Sequence, residues 1–250
     1  MAHETMVARL TARVRLGFDW MRRRKLATFG LLVALILLAE YVTFPSLSEV
    51  ASLKSANPRT TALMEQRADE ASSRRDAPPV RQQWVRLSRV SDDLQHAIIV
   101  AEDGMFYEHG GVDWYEVKES LKKDLQKRRF ARGASTITQQ LAKNLYLSTS
   151  KDPVRKLKEF ILSGWLEDEL TKNRILEIYV NVIEWGDGVY GAEAAALKYF
   201  GKHASDLTRD ESARLAAVIP SPRRYSPASP SPYVARRART ILARMSARGW

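Results

Sequence analysis

Between residues 91 and 101 the apolar side chains fall at Leu94, Ala97, Ile98 and Ala101, with Ser91 just ahead of them. That spacing predicts a helix with one buried face, opened by a serine hydroxyl that accepts from the free N–H groups of the first turn. The same rhythm recurs down the chain. Asp113, followed by Glu116, opens a second helix carrying Val117, Leu121 and Leu125. Ser135 or Thr136 caps a third through Ile137, Leu141 and Leu145. Leu157, Phe160, Ile161 and Trp165 mark a fourth, and Ile175, Leu176, Tyr179, Val180 and Ile183 a fifth. "GVYGAEAAALKYFGK" reads as a glycine-started sixth helix, closed by Gly201. Thr208 and Glu211 form the capping box of a seventh, which Pro220 stops. Strand signals are confined to 80–87, so the fold is mainly α.

The pattern changes toward the N-terminus. "LATFGLLVALILLAEYVTF" (26–44) carries a single charge, Glu40, and follows "RRRK" at 22–25. As a helix it would span about 28 Å, close to the hydrocarbon thickness of a bilayer. Six Arg/Lys precede it within fifteen residues, whereas only Lys54 and Arg59 follow within the same distance. The positive-inside rule then puts the N-terminus in the cytoplasm and the bulk of the chain outside. No A-x-A site follows the apolar run, which argues for a retained anchor over a cleaved signal peptide. The expected organisation is a basic cytoplasmic segment (1–25), a transmembrane helix (26–44), a linker (45–80) that can be helical around 60–72, a helical domain (81–230) and a basic amphipathic C-terminal helix (231–250). That last helix reads equally as lying on an anionic membrane surface or as a solvated tail.

Composition narrows the chemistry. The 250 residues hold no cysteine, which excludes disulfides, thiolate nucleophiles and Cys-ligated zinc, and there is no H-E-x-x-H. The net charge of +11 suggests nucleic acid until it is located. Residues 1–30 hold seven Arg/Lys against two acids, and 220–250 hold seven Arg and none, so the rest sums to −1. The excess sits at the ends, with no nucleic-acid-binding signature beside it.

Three stretches can carry chemistry. In "VAEDGMFYEHGG" (100–111), Glu102 ends a helix beside apolar and aromatic residues, a setting that disfavours its charged form and suits a general base or acid. Asp103 reads as a local cap, and Glu108 and His109 as an exposed pair. In "GASTITQQLAKN" (133–144), hydroxyls and amides gather at a helix start, able to receive a phosphate or a sugar hydroxyl, or simply to face solvent. In "KDPVRKLKE" (151–159), Arg155 and Glu159 stand at i, i+4 with Lys151 one turn earlier, and Lys143 lies just upstream. "STSK" (148–151) matches S-x-x-K, but neither S-D-N nor K-T-G accompanies it.

Taken together, "EDGMFYEHGG", "GASTITQQLAKN", "RKLKE", "RILEIYVNVIEWGDGVYGAEAAALKYFGK" and "ESARLAAVIPSP" resemble, in order and spacing, the peptidoglycan glycosyltransferase family, which includes stand-alone transglycosylases and the N-terminal halves of class A penicillin-binding proteins. The resemblance implies a lysozyme-like glycosyltransferase domain with a small membrane-proximal jaw. It implies polymerisation of lipid II into glycan strands by inverting β-1,4 transfer, with release of undecaprenyl diphosphate, at the bacterial inner membrane with the catalytic domain periplasmic. Glu102 would be the catalytic base. Lys143, Lys151 and Arg155 would neutralise the diphosphate, and Glu159, the second catalytic carboxylate, would orient them or a Mg²⁺. Ser135, Gln139, Gln140 and Asn144 would line the donor cleft, supported by Phe106, His109, Asn181 and Tyr190. The implied partners are lipid II, the growing strand, membrane lipids and division or elongation proteins. A divalent cation (Mg or Mn) is the expected cofactor, with no organic cofactor and no nucleic acid. The rival readings are a lysozyme-like hydrolase or lytic transglycosylase and a non-enzymatic cell-wall scaffold. The basic cluster favours the synthase, because a neutral glycan leaving group needs no group of cations.

Overall fold

The computed structural model describes residues 24–35 and 44–250, apart from 128–134, 148, 150–152 and 230. The chain divides into two units, 1–45 and 46–250. In the first, 24–35 is helical, with Leu26, Phe29, Leu31, Leu32 and Leu35 exposed. Among the described residues no helix is long and apolar enough to cross a membrane. The expected span 26–44 runs on through 36–43, which lie outside the described residues, as do 1–23.

The second unit is mainly helical with a three-stranded sheet. Its elements are α1 (Leu47–Ser52), α2 (Ala62–Ser72), β1 (Arg81–Gln82), α3 (Asp92–Glu102), α4 (Trp114–Lys127), α5 (Ile137–Tyr146), α6 (Pro153–Glu169), α7 (Lys172–Val182), β2 (Glu184–Gly186), β3 (Val189–Tyr190), α8 (Ala192–Phe200), α9 (Arg209–Val218) and α10 (Pro232–Ala247). The caps follow the sequence closely. Ser91 Oγ accepts from Leu94 N–H at 3.2 Å and Asp113 Oδ1 from Glu116 N–H at 2.8 Å. Thr136, not Ser135, caps α5, in a capping box with Gln139, and Thr208 and Glu211 form the expected box on α9. Gly191 and Gly201 bracket α8, both at positive φ. At Gly191 a Cβ would also come within 2.9 Å of the Asn181 carbonyl oxygen, so both backbone angle and space call for glycine.

Three expectations change. The stretch 45–80 is not a spacer: Val50, Leu53 and Leu63 are buried, and α2 packs on α5. Its few large apolar positions leave a weak periodicity, and packing rather than propensity stabilises such short helices. The sixth helix starts at Ala192, because Val189 and Tyr190 form β3 instead. β3 pairs in parallel with β1, Arg81 opposite Val189, and antiparallel with β2, with an irregular register between Glu184 and Gly186. Strands of two or three residues are too short to show a period-two pattern. Finally, α10 is no solvated tail. Its stripe Val234, Ala238, Ile241 and Met245 is buried against α9 and α3, and Trp250 stacks on His96 at 4.1 Å. Around these helices the core closes on Leu94, Ile98, Phe106, Leu141, Leu166, Ile175, Tyr179 and Trp185, all wholly buried.

Candidate active site

α3 ends at Glu102 because Asp103 leaves helical backbone space (φ −159°, ψ 78°). Asp103 then turns its carboxylate inward. Oδ1 lies 2.8 Å from His109 Nε2, and Oδ2 accepts from the Ile137 N–H at 3.0 Å. Ile137 is the first residue of α5, so a buried carboxylate sits where the helix dipole favours negative charge. Thr136 Oγ1 donates to the Gly111 carbonyl at 2.6 Å and ties the same helix start to the loop before α4.

This fastening sets Gln140 over Glu102. Gln140 Nε2 donates to Glu102 Oε2 at 2.9 Å, and the Tyr179 hydroxyl donates to Gln140 Oε1 at 3.0 Å. From α10, Arg237 Nη2 donates to Glu102 Oε1 at 2.9 Å. The Glu102 side chain is 10% exposed. Burial raises its pKa above the ordinary carboxylate value, against the lowering effects of the Gln140 hydrogen bond, the Arg237 charge and Lys143. A cavity of about 1170 Å³ opens beside it, lined by Glu102, His109, Trp114, Ser135, Arg244 and Arg248 among others. That exceeds the usual size of small-molecule sites.

Lys143 lies on α5, three residues past Gln140. Burial lowers its pKa, Glu159 opposes that fall, and Arg155 and Lys156 add to it. Glu159 is 3% exposed and carries two cations: Arg155 Nη1 donates to Oε2 at 2.7 Å, and Lys156 Nζ binds Oε1. Lys156 Nζ also donates to Ser135 Oγ at 3.1 Å. The arrangement can accept a proton at Glu102 and offset anionic charge at the Lys143, Arg155 and Lys156 cluster.

The family model for transglycosylases matches residues 46–246. The chain belongs to the transglycosylase family. It is 42% identical over 218 residues to the biosynthetic peptidoglycan transglycosylase of Nitrosospira multiformis, covering 87% of this chain and 94% of that one. The proteins of the same name from Aromatoleum aromaticum and Thiobacillus denitrificans are 46% identical over 189 residues and 47% over 170. Those alignments cover 76% and 68% of this chain, and 82% and 73% of the relatives.

Within this transglycosylase the expected site residues divide. Glu102 and Gln140 are in contact, Lys143 is coupled electrostatically to both Glu102 and Glu159, and Ser135 joins the Glu159 cluster through Lys156. His109 lines the cavity but is bound to Asp103, where an exposed pair with Glu108 had been the local reading. Gln139 turns its side chain back to cap α5, accepting from the Thr136 N–H at 3.2 Å. Asn144 is buried on α5. Phe106 is wholly buried under Lys172 Nζ, 4.6 Å from its ring centre. Asn181 straps the segment before α3 by pairing with both N–H and C=O of Val85, and Tyr190 is buried in the sheet. These last three brace the scaffold and do not line the described cavity. Lys151 lies outside the described residues.

Sequence reasoning missed three participants. Lys156 stands at i, i+3 to Glu159, a spacing that could have marked it. Tyr179 was read only as a core position, and Arg237 carries no local signal linking it to a carboxylate 135 residues away. The donor set around Glu159 is a poor match to a divalent cation, since both carboxylate oxygens already hold cationic groups. Asp103, His109 and Asp113 bring ligand-type atoms within 4.8 Å of one another, but both Asp103 oxygens and Asp113 Oδ1 are engaged in fastening α5, His109 and α4.

Proposed function

We propose that this chain is a peptidoglycan glycosyltransferase that polymerises lipid II into glycan strands for the bacterial cell wall, with Glu102 as the base. The observation that carries this reading is a nine-tenths-buried carboxylate, held at both oxygens on the wall of a large cavity, in electrostatic contact with a lysine of a basic cluster. In the reaction the acceptor's 4-hydroxyl oxygen forms a bond to the donor's anomeric carbon as the bond to the diphosphate oxygen breaks. The hydroxyl proton passes to Glu102, and the leaving undecaprenyl diphosphate takes the electron pair. Attack from the face opposite the leaving group converts α to β. A diphosphate needs charge neutralisation more than protonation, and Lys143, Arg155 and Lys156 supply it, with Lys151 as a further expected cation.

A hydrolase reading would use Glu102 and Glu159 as an acid–base pair. Glu159, buried and held by two cations, is better suited to orient them than to exchange protons with a sugar or water. Membrane attachment through 26–44, N-terminus inside, fits the exposed apolar residues of the helix at 24–35 and a lipid-linked substrate.

The test uses full-length, detergent-solubilised protein and labelled lipid II. Glycan chains should form with wild type and fall by about 10²–10⁴-fold with Glu102→Gln. Unimpaired polymerisation by that variant would remove Glu102 from the mechanism, and cleavage of finished glycan in place of synthesis would favour the hydrolase.

A further inference from the structure

Each oxygen of Glu102 accepts one hydrogen bond, which leaves a lone pair on each, and the hydroxyl that the base deprotonates must share or displace one of these two donors. The two partners differ in how they are held. Gln140 is fixed from behind by Tyr179, which is wholly buried. Arg237 has no such support. Its side chain is 30% exposed, and among the described residues its Nε is buried without a hydrogen-bond partner and its other hydrogen bond is a 3.5 Å approach of Nη2 to the Ala101 carbonyl. Arg237 also lines a second cavity, of about 250 Å³, beside Ala101, Tyr233, Arg236, Thr240 and Arg244. Space therefore adjoins the side chain on a face other than the carboxylate.

From this geometry we propose that Arg237 is a positioning residue, a counter-ion that holds and orients the Glu102 carboxylate and turns Oε1 to the acceptor's hydroxyl. The proposal rests on the reading of Glu102 as the base. The charged or titratable groups near that carboxylate are Lys143 from α5, Tyr179 from α7, Arg237 from α10, and the adjoining Asp103, itself bound to His109. Arg244 and Arg248 approach the same region but donate to the Val100 and Gly104 carbonyls. Among the described residues Arg237 is thus the cation in direct contact. It opposes the rise in Glu102 pKa that burial causes. The sign follows directly: without Arg237 the carboxylate protonates at higher pH, and the acidic limb of the pH–rate profile moves upward.

Arg237→Met keeps the apolar stem and removes the charge, whereas Arg237→Lys keeps the charge. The acidic limb of kcat/KM on labelled lipid II should move up by about one to three pH units in Arg237→Met. Each unit is a tenfold rate loss below the limb, with recovery toward wild type at higher pH. In Arg237→Lys the limb should return most of the way. An unmoved limb, or a loss uniform across pH, would overturn the counter-ion role even if the melting temperature fell. If Arg237→Met does not fold, Arg237→Gln is read the same way. Glu102→Gln separates the two ideas. If it polymerises at the wild-type rate, the base assignment falls. If it is inactive while the Arg237→Met limb stays put, only the role of Arg237 falls.

Discussion

Replacing Asp103 with alanine removes a single buried carboxylate that fastens three elements. Its side chain is 2% exposed, and its two oxygens hold His109 Nε2 at 2.8 Å and the Ile137 N–H at 3.0 Å. His109 Nδ1 is buried without a partner, so Asp103 supplies the imidazole's hydrogen bond among the described residues. The alanine variant leaves a helix N-terminal N–H and a ring nitrogen without their protein partner on the wall of the cavity. At about 1–3 kcal/mol for each orphaned group, less what water in the cavity restores, the loss is about 4 kcal/mol at most. For a domain of roughly 200 residues, each kcal/mol shifts the midpoint by about 2–4 °C, so the melting temperature should fall by up to about 8–16 °C. Asp103→Asn should fall between, because one amide can accept from Ile137 but brings no charge to the helix dipole. Circular dichroism at 222 nm on the detergent-solubilised chain measures both. A drop under about 2 °C for Asp103→Ala would refute the account, because it would mean that neither bond contributes to the native state. Polymerisation should fall alongside, since α5 also carries Gln140 and Lys143.

Further outcomes follow from other parts of the structure. Lys143→Met should lower kcat on lipid II by about a hundredfold, the usual loss when one donor to a developing anion is removed; an unchanged kcat would take Lys143 out of leaving-group stabilisation. Lys156→Met should lower activity less than Lys143→Met, because Arg155 still holds Glu159, and equal losses would show that Lys156 touches substrate itself. A Cβ at Gly186 would meet the Tyr199 hydroxyl at 1.9 Å, so Gly186→Ala should destabilise by about 1–3 kcal/mol in urea unfolding. Adding Tyr199→Phe should recover part of that loss, and strict additivity of the two would contradict the clash. Burial raises the Glu184 pKa despite its pairing with Arg67. A carboxylate whose folded pKa is raised contributes stability below its unfolded value of 4.5 that is lost as pH rises through the folded value. Glu184→Gln should therefore flatten that part of the stability profile, and an unchanged slope would mean that Glu184 titrates alike in both states.

Helix positions, caps and breaks were legible in the sequence because they are local. Ser91, Asp113, Thr208 and Gly201 satisfy or terminate a helix end within a few residues of themselves, and the three-and-four spacing of Leu94, Ile98 or Ile175, Tyr179 needs no knowledge of the partner. Glu102 was legible for a related reason, since its setting at a helix end among apolar residues is written in adjacent positions. Three features were not. The strands β2 and β3 are too short to carry a period, the packing of α1 and of the expected helix α2 into the core rests on few apolar anchors, and the stripe of α10 names no partner. The division of labour within the site was likewise invisible in one dimension. Gln139 and Gln140 are neighbours of the same type, yet one is used up in a cap while the other, turned a further 100° around the helix, meets Glu102. Phe106, Asn181 and Tyr190 stand in motif stretches but brace the core. Arg237 reaches Glu102 only because the packing of α9 and α10 on α3 closes a separation of 135 residues. Sequence determined most of the helices and which carboxylate is the candidate base. The tertiary structure decided what holds that carboxylate, because hydrogen bonds and charge act over a few ångströms of space that the order of residues does not specify.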